Sequence, residues 1–363
     1  MSGRTPDGAG TVRAADILGA TCPIPIAEYP HVLLGHGGGG RLTQQLIEGM
    51  FAKVFANPAL SPLHDGAVLS VAAGRIAVST DSYVVSPRFF PGGDIGSLAV
   101  HGTVNDLAMC GAAPVALTAG FVLEEGLGME ELWRIVQSMG AAAAAAGVPV
   151  VTGDTKVVDR GKGDGIFINT TGIGVIRDGV EIAPVRARSG DAILVNGPIA
   201  EHGIAIMSVR EGLEFETTLV SDSAALHELV GRLLDALGHD VHVLRDPTRG
   251  GVSSALNEIA RAAGVGVTLD EVSIPIAEQV RGACELLGLD PLYVANEGKL
   301  LVFVPAARAD EALAVLRDHP LGAGAAKIGE VVADHAGRVV LHSRIGGLRV
   351  VDMLSGEQLP RIC

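Results

Sequence analysis

This sequence predicts an α/β fold, with α and β elements in layers, divided into two α/β domains that carry a mobile tail. Three observations predict it. Hydrophobic residues make up 48% of the chain but aromatic residues only 3%, which implies a core of Val, Ile, Leu and Ala. Buried strands flanked by Ala-rich helices have that composition. Short apolar runs alternate with stretches of helical periodicity along the chain. At 363 residues, the length is that of two ordinary domains.

Composition also narrows function. A formal net charge of −14 repels phosphate backbones, and no cluster of Lys and Arg offsets it. Nucleic acid is therefore not an expected partner. A single nucleotide is compatible, because backbone N–H groups and Mg²⁺ hold phosphates in acidic surroundings. Cys22, Cys110, Cys284 and Cys363 show no C-x-x-C spacing, which argues against a zinc ribbon and suits a reducing cytoplasm. The first residues lack the apolar stretch of a secretory signal, and the Ala-rich run at 140–151 is too short to span a bilayer. No membrane association is expected.

In chain order, 1–25 are polar and Gly-rich and read as loosely ordered. The first domain, 26–183, opens with a short strand at 32–34. The glycines Gly37, Gly38, Gly39 and Gly40 then run into a helix at 41–48, with Leu42, Leu46 and Ile47 on one face. Strands at 67–72 and 75–80 flank Ala73 and Gly74 as a hairpin. A helix at 96–110, a strand at 114–122 and an Ala-rich helix at 129–147 follow. A strand at 148–152 ends in Gly153, Asp154, Thr155 and Lys156, and a strand at 166–176 closes the domain. Pro184 and alternating arginines mark a linker into the second domain, 184–345. There, strands are expected at 192–195, 265–269, 292–295, 300–304, 327–332 and 338–342. Helices are expected near 201–211, 222–237, up to 263, 277–287 and 306–317. Residues 346–363 form a tether that ends on the thiol of Cys363.

Several motifs carry chemistry. Consecutive glycines before a helix turn their N–H groups inward, and the helix dipole adds positive potential, so the loop suits phosphate; the plain alternative is a surface loop. Asp81, Asp106, Asp154 and Asp246 each lie near the end of an expected element, where α/β folds place their sites. Each alone reads as a turn or cap residue, Asp246 as the cap of the following helix. Together they suit Mg²⁺, which takes one or two carboxylates plus phosphate oxygens. Lys156 is either a surface lysine or a point charge for a phosphate. Glu297, after an apolar run, is either a turn acid or a desolvated base. Asn105 is placed to orient a carbonyl or water, or to bond the local backbone. A thiol on a tether can enter a site to be modified and leave it again; the alternative is that Cys363 is incidental.

These motifs taken together resemble the HypE family, the hydrogenase expression/formation proteins of NiFe-hydrogenase maturation. The resemblance rests on His36 with its glycines, the runs beginning at Ser79, Asn105, Gly153, Asp246 and Asn296, and the terminal Pro360, Arg361, Ile362 and Cys363. It runs from about residue 30 to the end. The Asp and Gly motifs alone resemble the wider superfamily of aminoimidazole ribonucleotide synthetase, selenophosphate synthetase and thiamine monophosphate kinase. The final four residues single out HypE.

The resemblance implies two aminoimidazole ribonucleotide synthetase-like domains, a homodimer formed through the first domain's sheet, and ATP near that interface. It implies that the carbamoyltransferase HypF loads a carbamoyl group onto Cys363. ATP-dependent dehydration of the S-carboxamide to a thiocyanate follows, and the cyanide passes to iron on the HypC–HypD complex. By resemblance, Gly37 to Gly40, Asp81 and Thr155 contact ATP, and Asp81, Asp106, Asp154 and Asp246 hold Mg²⁺. Lys156 sits by the reacting group, Glu297 is the base on the amide nitrogen, and Asn105 steadies the carboxamide. Two other readings stay open. One is a superfamily enzyme acting with ATP on a free small molecule, which has no need of Cys363. The other is a non-catalytic partner whose tail is a docking peptide.

Overall fold

The computed structural model of the chain describes residues 29–37, 41–60, 69, 74–212, 219–354 and 361–363. Gly38, Gly39, Gly40, residues 1–25 and, apart from Leu69, the expected strand at 67–72 lie outside the described residues.

The first domain opens with a 3-10 turn, Leu34–His36, where a strand was expected; only His31 forms a bridge, with Gly128. Helix α1 (Arg41–Leu46) continues as a π turn, Ile47–Phe51. Strand β1 (Ile76–Tyr83) follows, then the short pair β2 (Phe89–Phe90) and β3 (Gly93–Asp94). Helix α2 (Ile95–Met109) starts on a capping box, in which Asp94 accepts from Gly96 and Ser97 N–H. Strand β4 (Ala112–Glu124), helix α3 (Met129–Ala146), strand β5 (Val150–Val158) and strand β6 (Ile166–Ile176) complete the domain. The sheet order is β1-β6-β4-β5, with only β4 and β5 parallel, across the α3 connection. Helices α2 and α3 cover one face, burying Leu98, Val104, Ile135, Met139, Phe121 and Ile168. The other face is open: Val78 is 62% and Ile76 54% exposed.

Two sequence expectations change here. The run Gly153 to Lys156 lies inside β5 and not at its end. Gly153 permits this, since a Cβ there would meet the Ala119 carbonyl at 2.3 Å. Strand alternation then divides the candidate aspartates. Asp81 shares a buried cross-strand row with Thr170 and Ala119, whereas Asp154 shares the open row with Ser82, Asn169 and Gly120.

The second domain contains β7 (Asp191–Val195), α4 (Glu201–Arg210), α5 (His227–Leu237), β8 (Val243–Arg245), α6 (Gly251–Ala263) and β9 (Gly266–Asp270). Then come α7 (Glu278–Leu287), β10 (Leu301–Pro305), α8 (Ala309–Arg317), β11 (Ala326–Val332), β12 (Val339–His342) and β13 (Leu348–Val351). The sheet order is β13-β12-β9-β11-β7-β10-β8. Its central strands are buried on both faces. Ile193 and Val195 face α6 and α7, while Ala192 and Leu194 face α5 and α8. That is why these strands read as unbroken apolar runs. Ala108 and Met109 of α2 join the second of these cores, and Ile206 of α4 joins the first domain's core, so the domains interlock.

Three further expectations shift. The strand at 292–295 is a 3-10 turn, Pro291–Tyr293, begun by an Asp290 side chain that accepts from Leu292 N–H. The helix expected from 222 begins at His227, because Leu226 N–H donates to the Asn105 side chain and the preceding residues lie extended against the first domain. Residues 348–351 belong to the sheet as β13, so the tether begins after them.

Candidate active site

The cleft between the domains collects an acidic cluster. Asp81 lies near the end of β1, two residues before Tyr83, and its Oδ1 accepts from Arg249 at 3.1 Å. Asp106, on α2, accepts from Ser79 at 2.6 Å. Asp246 and Glu297 come from the second domain and are buried. Asp246 is not a helix cap: α6 starts on Gly250 in the left-handed region, with no side-chain cap.

Burial, then the neighbouring Asp106, pushes the Asp246 carboxyl up to about 7. Burial and Asp81 likewise raise Asp106, against the hydrogen bond from Ser79. Glu297 is raised well above the carboxylate range by burial first and by Asp246 and Asp222 next. Its Oε1 is buried without a hydrogen-bond partner. The Asn-Glu-Gly order has a steric reason: a Cβ on residue 298 would meet the Asp222 carbonyl at 1.8 Å.

The linkage can be tested at Asp246. Its folded value lies above the ordinary 3.8. The folded state therefore prefers the protonated acid, and stability falls as pH rises from about 4 through about 7. Without added metal, Asp246→Asn should stabilise the fold by about 1–3 kcal/mol near pH 8 and by almost nothing near pH 4. Thermal melting at both pH values measures it, and equal shifts would refute the burial argument.

Into this cluster comes the tail. Val84 N–H donates to the Cys363 carbonyl at 3.2 Å, Ser86 N–H to that of Arg361 at 3.1 Å, and Arg361 Nε to the Val84 carbonyl at 3.0 Å. Arg361 also pairs with Asp164 and sits at φ +54°, in the left-handed region. Ile362 is buried in the first domain's core, and Cys363 packs against that core. Burial, then Glu297, pushes the Cys363 thiol up to about 12, with Arg249 working against both. A docked Cys363 is therefore a neutral thiol.

The other sequence candidates are placed differently. Asn105 is buried, and its amide is fully used by protein groups. It donates to the carbonyls of Ala224 and Glu297 and accepts from Leu226 N–H. These bonds tie Asn105 to the Glu297 backbone. Asp154 is bonded by Lys156 at 2.6 and 2.7 Å on the open face of the sheet. Three strand spacings, about 14 Å, separate β5 from β1. The four aspartates expected at a metal do not converge: one chain groups Asp81, Asp106 and Asp246 and leaves Asp154 on the far edge. Among the described residues, no group of three or more acidic, His or Cys side chains is arranged to hold a metal ion.

That far edge borders a cavity of about 540 Å³, walled by α1 (Thr43, Gln44), Phe51, Phe121 and the stretch Gly153 to Thr155. Gly37 packs on the same strand β5, since a Cβ there would lie 2.5 Å from the Val157 nitrogen. The volume suits a small-molecule ligand. Among the described residues, no helix is long and apolar enough to cross a membrane.

Sequence reasoning left out Arg249, Asp222 and His202. Arg249 lay in plain view beside Asp246. The other two lacked a signal, because their partners lie far along the chain: Glu297 N–H for Asp222 and the Ile362 carbonyl for His202.

Two interlocked α/β domains, with a ligand-sized cavity on the first and an acidic cleft between them, define an AIR synthase related protein. The family described as the AIR synthase related N-terminal domain matches residues 63–176, and the corresponding C-terminal domain matches 188–342. Carbamoyl dehydratase HypE of Cupriavidus necator is 56% identical over 98% of this chain and 99% of its own. A crystal structure of the hydrogenase maturation protein HypE in complex with ATP superposes with a TM-score of 0.88 at 53% identity, over 91% of this chain and 99% of that one. HypE in a HypE–HypF complex gives 0.75 at 47% identity, over 85% and 99%. The chain belongs to the HypE family.

Proposed function

We propose that this chain is an ATP-dependent carbamoyl dehydratase of hydrogenase maturation whose substrate is carried on its own Cys363. The observation that carries this reading is the docked tail: Cys363 lies half-buried near Glu297, whose Oε1 is buried and unpaired. HypF, seen in complex with a HypE relative, loads the carbamoyl group. The amide oxygen is a poor leaving group, and phosphorylation by ATP turns it into phosphate. The C–O bond then breaks and a C≡N bond forms. Of the two N–H protons, one leaves with the phosphate and one passes to Glu297, whose raised proton affinity suits a base. The sum is S-carboxamide plus ATP giving S-cyanide, ADP, phosphate and a proton. The cyanide then goes to iron on HypC–HypD.

ATP is assigned to the cavity beside Gly37 and Thr155, supported by the ATP-bound HypE relative. Mg²⁺ supplies electrostatic relief to the phosphates. The carboxylates of Asp81, Asp106 and Asp246 fit a divalent cation chemically, since they are hard oxygen donors whose crowding raises Asp106 and Asp246. Asp154 and Lys156 face away from Cys363. A second copy on the open sheet face, where Ile76 and Val78 are exposed, gives them a site to serve. We therefore read the working unit as a homodimer. We read the reaction as cytoplasmic, which a free thiol and a need for ATP support.

Mass spectrometry of the peptide carrying Cys363 tests the reading. After HypF, carbamoyl phosphate and ATP, the peptide should gain a carbamoyl group. The isolated loaded chain should lose water when given fresh ATP. ATP turnover with an unchanged Cys363 would sink the proposal.

A further inference from the structure

One buried side chain grips the tail without a part in that chemistry. His202, on α4, is fully buried. Its Nε2 lies 2.9 Å from the Ile362 carbonyl oxygen and its Nδ1 2.7 Å from Ser221 Oγ. A carbonyl only accepts, so Nε2 carries the proton and Nδ1 accepts from the hydroxyl. Burial lowers the ring's proton affinity and keeps it neutral, as this pattern requires. Phe90 meets the ring edge-on at 5.5 Å between centroids, which fixes its aim.

Ser221 leads to the base. Its Oγ accepts from Ser223 N–H at 3.1 Å. The adjacent Asp222 accepts from Glu297 N–H at 3.1 Å. Ala224 accepts from Asn105, which also holds the Glu297 carbonyl. The segment 221–224 is thus tied to the tail through His202 and to Glu297 through Asp222 and Asn105.

We propose that His202 is a positioning residue that locks the docked tail and couples docking to the placement of Glu297. The inference rests on Cys363 as carrier, but its first test needs no chemistry on a carbamoyl group. The full chain is alkylated with iodoacetamide, and the peptides carrying Cys363, Cys110 and Cys284 are followed by mass spectrometry. A docked thiol is half-buried and protonated, so Cys363 reacts faster when the tail leaves. His202→Leu should speed labelling of Cys363 about tenfold, the equivalent of one hydrogen bond. His202→Gln, which keeps a donor for the Ile362 carbonyl, should restore slow labelling. Cys110 and Cys284 should be unchanged. Wild-type labelling of Cys363 in His202→Leu overturns the lock. If all three thiols accelerate, Ser221→Ala decides: it must expose Cys363 alone, or the proposal fails. The coupling predicts that the acidic limb of the water-loss rate on the loaded chain shifts in His202→Leu and not in His202→Gln. An unmoved limb overturns that half. Failure of water loss in the wild type would refute the dehydratase reading and leave the alkylation result standing.

Discussion

Replacing Cys363 with alanine should abolish product on the chain entirely. Peptide mass spectrometry should find neither a carbamoyl gain nor the later loss of water. ATP binding should stay within about twofold, because Cys363 is not among the residues that wall the cavity assigned to the nucleotide. No other described thiol can stand in. Cys284 is buried in α7 and pushed up to about 11. Cys110 is exposed at the end of α2, but its place in the fold is fixed and it cannot reach Glu297 as a tether can. The cost in stability should be small, about 1 kcal/mol, since only a small side chain is lost from partial burial. Retained ATP-dependent product on a free small molecule would instead make this a superfamily enzyme with an incidental cysteine.

Glu297→Gln has the second largest expected effect. It keeps the volume and removes the base, so water loss from the loaded Cys363 should slow about 10²–10⁴-fold. In the wild type, the rate should climb with pH as Glu297 loses its proton, then level off. In the variant that limb should vanish. Stability should move the opposite way. Glu297 is raised above its ordinary 4.5 in the fold, so the wild type loses stability as pH rises through the folded value. Glutamine has no proton to lose, and the variant should melt higher at alkaline pH. A protein that is slower and more stable identifies a group kept for chemistry. If activity and stability fall together, Glu297 is structural.

Much of this was legible from residues alone, for local reasons. Alternating apolar runs and Ala-rich periodicity mark strands and helices because burial is read off side-chain spacing. Helix 129–146 and strand 166–176 were recognisable on those grounds. Asp81 and Asp246 could be nominated because each lies near the end of an expected element, and Glu297 because it follows an apolar run. The segment 292–295 misled for the same reason: it is apolar because it is buried, yet Asp290 and Pro291 turn it into a 3-10 bend. The partners of Asn105 lie 119 to 192 residues away, and no local pattern points to them.

The sequence by itself determined two α/β domains, the acidic residues that line the cleft, and a thiol on a tether. Tertiary structure decided which of those residues meet. Strand alternation put Asp81 on the covered face and Asp154 on the open one. Domain packing closed the cleft over Glu297. Contacts from residues 84, 86 and 202 drew the tail inside. Composition and periodicity are sums over neighbours in the chain, whereas a site is a meeting of residues far apart in it. Cys363 is half-buried and held neutral because it packs against the first domain's core near Glu297, and the chain's own order does not bring them together.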